Sequence, residues 1–585
     1  MEPMALGGDR SRMRALAAAL LLGACAQSSA IDDLPSETAS DFGTDTTEPE
    51  RPDLPGDSES DTAETETGEA CPPPPCAACS CEDGQLICAC LEPEAGFIEI
   101  EGVDYLLGQG PDALAMSSTA SRQFWAFQPA RDQLDPAPLV VFFNGGPSVS
   151  SGMLLGLNTG EASFDPKLTG PDATVADNPH SWTSFAHLLW IDARQTGFSY
   201  GLLDEPSDAS ARAEAMDVAS FNSYRDAADF VRTLLRFLDA HPTLRASEVV
   251  LVAESYGGIR AQIMLDMLLW ADAYEDGSRK LSDVALAQEI RAHHLAVHGS
   301  TAAADVAAQF GRQVLIQPAL TGSVQQVTAG QLFEQPDSVI EQFALELGVD
   351  YVSCAEKGGP CDAYGNATSF IGSQGRSAYD YRAPASWLND VFNLVAARLN
   401  DVDTTETLLG VELSQIMGIT ADQRAPGWRF VHAGSYPADA ELGNWPDHGG
   451  ALNSWDRYFL SFNAEALGQF RSVDARALDL DPADPHFGEL FLSNLVFVDT
   501  LITEAAYDVV IYTPAIPAAL ESYSALVASV IVDPDAREWT VEYQDGVLAN
   551  PGARVVSVPV YAASHAVTYD EPGKLRDDVE LWLFE

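Results

Sequence analysis

The sequence predicts an α/β fold, a mostly parallel twisted sheet with helices on both faces, and three observations carry that prediction. From about residue 92, short apolar runs of strand length alternate with longer amphipathic stretches of helical period. One of those runs passes directly through a serine into a helical stretch. The 585 residues are 46% hydrophobic and 9% aromatic, which supplies a sizeable core and room for more than one structural unit.

Taken in chain order, the first element is a leader. Arg10, Arg12 and Arg14 precede an apolar run from Ala15 to Leu22, then Gly23-Ala24-Cys25. A basic start, a short apolar stretch and small residues before a cysteine describe a secretory signal in residues 1–24, and the run is too short to span a bilayer. The cysteine at that point resembles a bacterial lipobox, which implies cleavage before Cys25 and lipidation of its thiol. With Ala26 rather than Asp next, the same resemblance implies the outer membrane or cell surface of a Gram-negative bacterium; an ordinary signal peptide is the alternative. Residues 25–70 are rich in Ser, Thr, Pro and acid. Fourteen Asp or Glu and the single Arg51 fall within 31–70, so this stretch reads as a disordered, self-repelling acidic spacer.

Six of the nine cysteines crowd into 71–91: Cys71, Cys76, Cys79, Cys81, Cys88 and Cys90. In an exported protein this density reads as a disulfide knot; zinc is the rival reading, since Cys76 and Cys79 have ligand spacing, but no histidine lies nearby. Cys354 and Cys361, in a Gly/Pro-containing loop, read as one further bridge. The expectation is no metal and no cofactor.

The main domain is expected over 92–585. Leu139 to Phe143 is a buried-strand run ending in Asn144-Gly145-Gly146-Pro147, and His187 to Asp192 is another, ending near Gly197-Phe198-Ser199-Tyr200. Val249 to Ala253 leads into Glu254-Ser255-Tyr256-Gly257-Gly258, with a helix from Ile259 to about Ala271. Strand, serine between small residues, then helix is the pattern of a nucleophile elbow: a sharp turn lifts the hydroxyl above the sheet edge, and Ala253 and Gly257 let it close. Asn144-Gly145-Gly146-Pro147 either forms a plain turn or lets a backbone amide face the reacting carbonyl. His565 follows the apolar run Val555 to Val560, and a late histidine beyond the last strand fits the Ser, acid, His order of α/β-hydrolases. The predicted fold is therefore an α/β-hydrolase fold. A largely helical cap insertion is expected over about 325–490, including a helix from Ser386 to Asn400.

Together these segments resemble the serine carboxypeptidase family, in its bacterial rather than its yeast or plant branch. The matching stretches are Asn144 to Pro147 with Ser150-Ser151, Asn178-Pro-His-Ser-Trp182, Ile191-Asp192 with Thr196 to Ser199, Glu254 to Gly258 with Arg260, and His565-Ala-Val-Thr-Tyr-Asp-Glu-Pro572. The resemblance implies that Ser255 is the nucleophile and His565 its base. It also implies that the amides of Gly146 and Tyr256 form the oxyanion hole, and that Asn144, Gly145 and Glu254 receive a peptide's C-terminal carboxylate. Glu254 can do so only when protonated, which predicts an acidic optimum.

Three positions depart from the family. Pro517 occupies the catalytic aspartate's place in Thr513 to Ala518, after a strand expected at Asp508 to Tyr512; Asp508 would sit at that strand's wrong end, leaving Glu521 as the first substitute acid. Ser148-Val149 stands where the family has Gly, and Asn158 replaces the second carboxyl of the carboxylate site.

The expected function is an exported hydrolase that trims peptides at their C-termini. The same fold acting on esters or in acyl transfer, or a degenerate surface lipoprotein that only binds, are the rivals. The net charge of −56, with 31 Lys or Arg against 87 acids, argues against nucleic acid as a partner. Only four lysines occur; the acid excess reads as a solvated surface or as adaptation to salt.

Overall fold

The computed structural model describes residues 79–82, 85–88, 90–131, 137–145, 149–164, 174–194, 196–201, 222–320, 349–350, 370–372, 377–379, 402–412, 486–505, 508, 511, 513–547, 552–563 and 565–585. Cys25, Gly146, the pair Cys354 and Cys361, the leader, the acidic spacer and the helix expected at 386–400 lie outside them. So does most of the expected cap. The chain divides into two units, one spanning Ser28–Cys90 and the other comprising Met1–Gln27 with Leu91–Glu585. In the first, Cys79–Glu82 and Gln85–Cys88 pair as an antiparallel hairpin with Cys79 opposite Cys88, and Cys90 is disulfide-bonded.

The larger unit is built on a 12-stranded sheet. Its strands are β1 (Glu94–Ile100), β2 (Ser121–Gln128), β3 (Leu139–Phe143), β4 (His187–Ile191), β5 (Tyr200–Gly201), β6 (Val249–Glu254) and β7 (Arg312–Ile316). They continue with β8 (Asp499–Ala505), β9 (Val527–Asp533), β10 (Glu538–Tyr543), β11 (Arg554–Ser557) and β12 (Val560–Tyr561). The order is β5-β2-β4-β3-β6-β7-β8-β11-β10-β9, with β1 on β2 and β12 on β8. The run from β4 through β11 is parallel, and the flanks on either side are antiparallel. This is the α/β-hydrolase fold.

Strands buried on both faces explain the near-continuous apolar runs in the sequence. Side chains alternate across the sheet, so Leu139, Val141 and Phe143 enter one core while Val140 and Phe142 enter the other. The first core is closed by α1 (Ser223–Ala240), α2 (Gly257–Leu269) and α3 (Val284–Val297), the second by α4 (Pro572–Phe584) through Leu575, Val579 and Leu583. Asn222 caps α1, its side chain accepting from the Arg225 amide at 2.8 Å, which satisfies one of the helix's orphan donors. Among the described residues no helix is long and apolar enough to cross a membrane.

One expected element is displaced. Of the strand expected at Asp508–Tyr512 only Asp508 and Ile511 are described, neither of them in a strand, and the strand paired in parallel with β7 is β8, Asp499–Ala505. Asp508 therefore lies three residues beyond the strand's C-terminal end. Val509-Val510-Ile511 is the more apolar run in sequence, whereas β8 sets Leu501 and Ile502 between Thr500 and Thr503, whose hydroxyls accept from the Gln313 and Gln317 side chains.

Candidate active site

In a parallel sheet all the C-terminal strand ends open along one edge, where sites form. Here that edge collects Asn144 and Gly145 after β3, Ser255 after β6, Asp508 after β8 and His565 after β12.

Ser255 has φ +59, a conformation side chains rarely adopt, and it turns the chain abruptly from β6 into α2. The turn is held from beneath: the Ser255 amide donates to the Ile316 carbonyl, and the Ser255 carbonyl accepts from Gly258 and Ala319, each at 2.9 Å. Glycines are required around it by space. A Cβ on Gly145 would lie 2.5 Å from the Tyr256 amide nitrogen and 2.7 Å from the Ser255 Cβ; on Gly258 it would lie 2.7 Å from the Pro318 Cβ. The Gly145 loop thus rests directly on the elbow.

His565 is buried, and its Nδ1 bonds Asp508 Oδ2 at 2.8 Å. The other Asp508 oxygen accepts from the Ile511 amide at 3.1 Å, so the carboxylate is fixed from two sides. With Nδ1 donating, a neutral imidazole carries its basic lone pair on Nε2. Burial lowers the proton affinity of His565, but the Asp508 charge and hydrogen bond, aided by the Glu254 charge, outweigh it, and the net shift is upward.

Glu254 is buried beside the serine, and burial pushes its carboxyl up to about 7. The charge of His565 pulls it down, that of Asp508 raises it, and the Asn144 side chain lowers it. The histidine and both carboxyl groups thus share one electrostatic neighbourhood, with Ser255 next in the chain after Glu254. The Ser255 hydroxyl itself is not bonded to His565 in this structure; such contacts are often loose without substrate.

Asn144 Oδ1 accepts from the Gly145 amide at 2.6 Å, and its buried Nδ2 has no hydrogen-bond partner of good geometry, though the side chain lies close enough to Glu254 to stabilise that carboxylate. The Asn144 carbonyl accepts from Arg260. Arg260 is buried, paired with Asp226 at 2.7 Å and stacked over Phe230 at 4.4 Å. Asn158, with φ +70, donates to the Thr568 carbonyl at 3.1 Å, tying its loop to the segment that carries His565. Its amide is turned to this backbone contact.

Glu521, the expected substitute acid, does not meet the imidazole. Glu521 accepts from the Val530 amide at 3.2 Å, with no bond to His565, and Pro517 is buried in the short helix Ile516–Glu521. The carboxylate at the imidazole is that of Asp508, three residues beyond the end of β8.

Asp192 was read only as a motif letter. It is buried and accepts from Ser150 Oγ at 2.7 Å, the Ser151 amide at 2.8 Å and the Phe198 amide at 3.0 Å, so it ties the loops after β3 and β4 together. Burial raises its carboxyl to about 6, against the pull of these donors.

Residues 114–270 match the serine carboxypeptidase family model. The matched stretch holds Asn144, Asn158, Asp192, Glu254, Ser255 and Tyr256, with Asp508 and His565 beyond it. Among curated relatives, Carboxypeptidase S1 of Penicillium janthinellum is 32% identical over 147 residues, 25% of this chain and 30% of that protein. A pheromone-processing carboxypeptidase of Phytophthora infestans is 44% identical over 78 residues, 13% of this chain and 12% of that protein. A serine carboxypeptidase-like protein of Arabidopsis thaliana is 29% identical over 155 residues, 26% of this chain and 30% of its relative. The chain spans less than a third of the length of these relatives. A solved prohormone-processing carboxypeptidase from Saccharomyces cerevisiae aligns with TM-score 0.39 and 14% identity over 84% of this chain and 91% of that one. The sequence matches support the serine carboxypeptidase family. None of these relatives is bacterial, so the bacterial branch rests on the motifs alone.

Proposed function

We propose that this protein is a serine carboxypeptidase, of the family's bacterial branch, that removes C-terminal residues from peptides outside the cytoplasm. The observation that carries the reading is the 2.8 Å bond from His565 Nδ1 to Asp508, set on the same sheet edge as a serine held at φ +59.

In this reading His565 Nε2 takes the proton from Ser255 as the hydroxyl oxygen attacks the last peptide carbonyl. The amides of Tyr256 and Gly146 receive the oxyanion, helped by the N-terminus of α2. The protonated imidazole then gives its proton to the departing amine, leaving an acyl group on Ser255. Water attacks that ester by the same route in reverse roles, with His565 again as base.

Recognition of the C-terminal carboxylate is supported by two groups. Glu254, raised to about 7 by burial, is protonated in mild acid and able to donate, and Asn144 holds a buried, unbonded N–H pair beside it. Both favour a peptide acid over a plain ester. Asn158 contributes from behind, through its bond to Thr568.

For location, the reading is export and lipidation at Cys25, with anchoring in the outer membrane or at the cell surface; the support is the basic, apolar and small-residue pattern of 10–25. Cys25→Ala is expected to move the protein from the membrane fraction to the soluble one, and unchanged membrane retention would remove the anchor from the proposal.

The activity test uses a fluorophosphonate probe and blocked dipeptides with free or amidated C-termini. Labelling of wild type, none of Ser255→Ala, and turnover of the free acid but not the amide are expected. An unlabelled wild-type protein would end the hydrolase reading, and equal turnover of acid and amide would end the carboxypeptidase one.

A further inference from the structure

Ser255 and Asp508 are carried by different strands, and a third residue that touches neither substrate nor reacting atoms joins their supports. Gln317 follows β7 directly, is fully buried and has φ +46, a left-handed conformation that glutamine adopts only when its surroundings impose it. What imposes it is a set of bonds in two directions. Toward the nucleophile, its neighbour Ile316 accepts from the Ser255 amide and Ala319 donates to the Ser255 carbonyl, both at 2.9 Å. Toward the acid, the Gln317 amide donates to Thr503 Oγ1 at 3.1 Å. Its side-chain Nε2 donates to the Thr503 carbonyl at 3.0 Å and to its hydroxyl at 3.2 Å, and Oε1 accepts from Thr513 Oγ1 at 3.2 Å.

Thr503 and Thr513 bracket the loop that carries Asp508. A single buried amide therefore fastens both ends of the acid's loop to the segment on which the elbow rests. We propose that Gln317 is a positioning residue that sets where Asp508 stands relative to Ser255, and so holds the Asp508 bond to His565. The inference rests on the Ser255, His565, Asp508 reading. The groups facing the imidazole are Asp508 and Glu254, and of these only Asp508 lies on the fastened loop.

The test is Gln317→Gly in the full chain. Glycine accepts φ +46 without strain, so the backbone is relieved while the fastening is removed. Two readouts are taken beside a thermal melt. The first is the titration of His565 by nitrogen-15 NMR, which needs no turnover: its proton affinity is expected to fall toward that of Asp508→Asn, while a melt lowered by the lost buried bonds but still cooperative shows that the protein folds. The second is kcat on a blocked dipeptide, expected to drop about tenfold to a hundredfold with KM within about twofold, the scale of a small displacement of catalytic groups. A His565 titration identical to wild type in a folded Gln317→Gly protein would overturn the proposal. If wild type is not labelled by the fluorophosphonate, the hydrolase reading falls while the NMR titration still decides the role of Gln317.

Discussion

Asp508 has both carboxylate oxygens occupied, one by the Ile511 amide and one by His565, and this fixes the tautomer and the direction of the imidazole. Asp508→Asn should leave substrate binding near normal and lower kcat by about 10⁴, the scale for an acid whose loss leaves the wrong tautomer. Glu521→Ala should leave kcat within about twofold, since that carboxylate bonds the Val530 amide instead; steady-state kinetics on one dipeptide checks both. Glu254 gives a pH prediction. Its carboxyl is raised to about 7, chiefly by burial, so it is protonated below that value and ionised above it. Peptide kcat/KM should fall as pH rises through about 7, because two carboxylates then face each other. Glu254→Gln stays neutral and should lose that alkaline fall. An unchanged alkaline limb in the variant would assign it to another group.

The loops at the strand ends are built on contacts that leave no space for side chains. Gly197 has φ +53, and a Cβ there would stand 1.8 Å from Asp192 Oδ2 and 2.6 Å from Ser150 Oγ. Gly197→Ala should therefore destabilise by about 2–4 kcal/mol, from backbone strain and a broken buried bond network, as measured by urea unfolding. The strands β3, β4 and β6 were legible as apolar runs because both faces are buried, and the elbow because a serine between small residues follows one of them. The acid was not legible for the same reason turned round. Val509 to Ile511 is as apolar as a strand, while β8 carries Thr500 and Thr503, whose hydroxyls accept from Gln313 and Gln317 on the neighbouring strand's segment. Such cross-strand pairing is invisible in a single run of letters. Asp192 was missed as a strut because its three donors come from two loops separated from each other by more than forty residues.

Across the whole molecule, −56 charges on 585 residues create self-repulsion that salt screens. Unfolding midpoints should rise between low and molar NaCl, and a flat titration would leave the acidity as mere solvation. The sheet also determines how the chain can grow. Ile316 ends β7 in register with Thr503 of β8, while Asp499, where β8 starts, lies opposite Arg312, where β7 starts. The polypeptide therefore leaves the sheet after Ile316 and re-enters it at Asp499, preceded by the helix His486–Asn494, in which Asn494 donates to the Gln262 carbonyl at 2.9 Å, whatever is threaded between. Closing a longer excursion between fixed ends adds only about 0.6 kcal/mol per doubling of length. The crossover is a port: the number of residues joined between its two ends can change without renegotiating the chassis beneath.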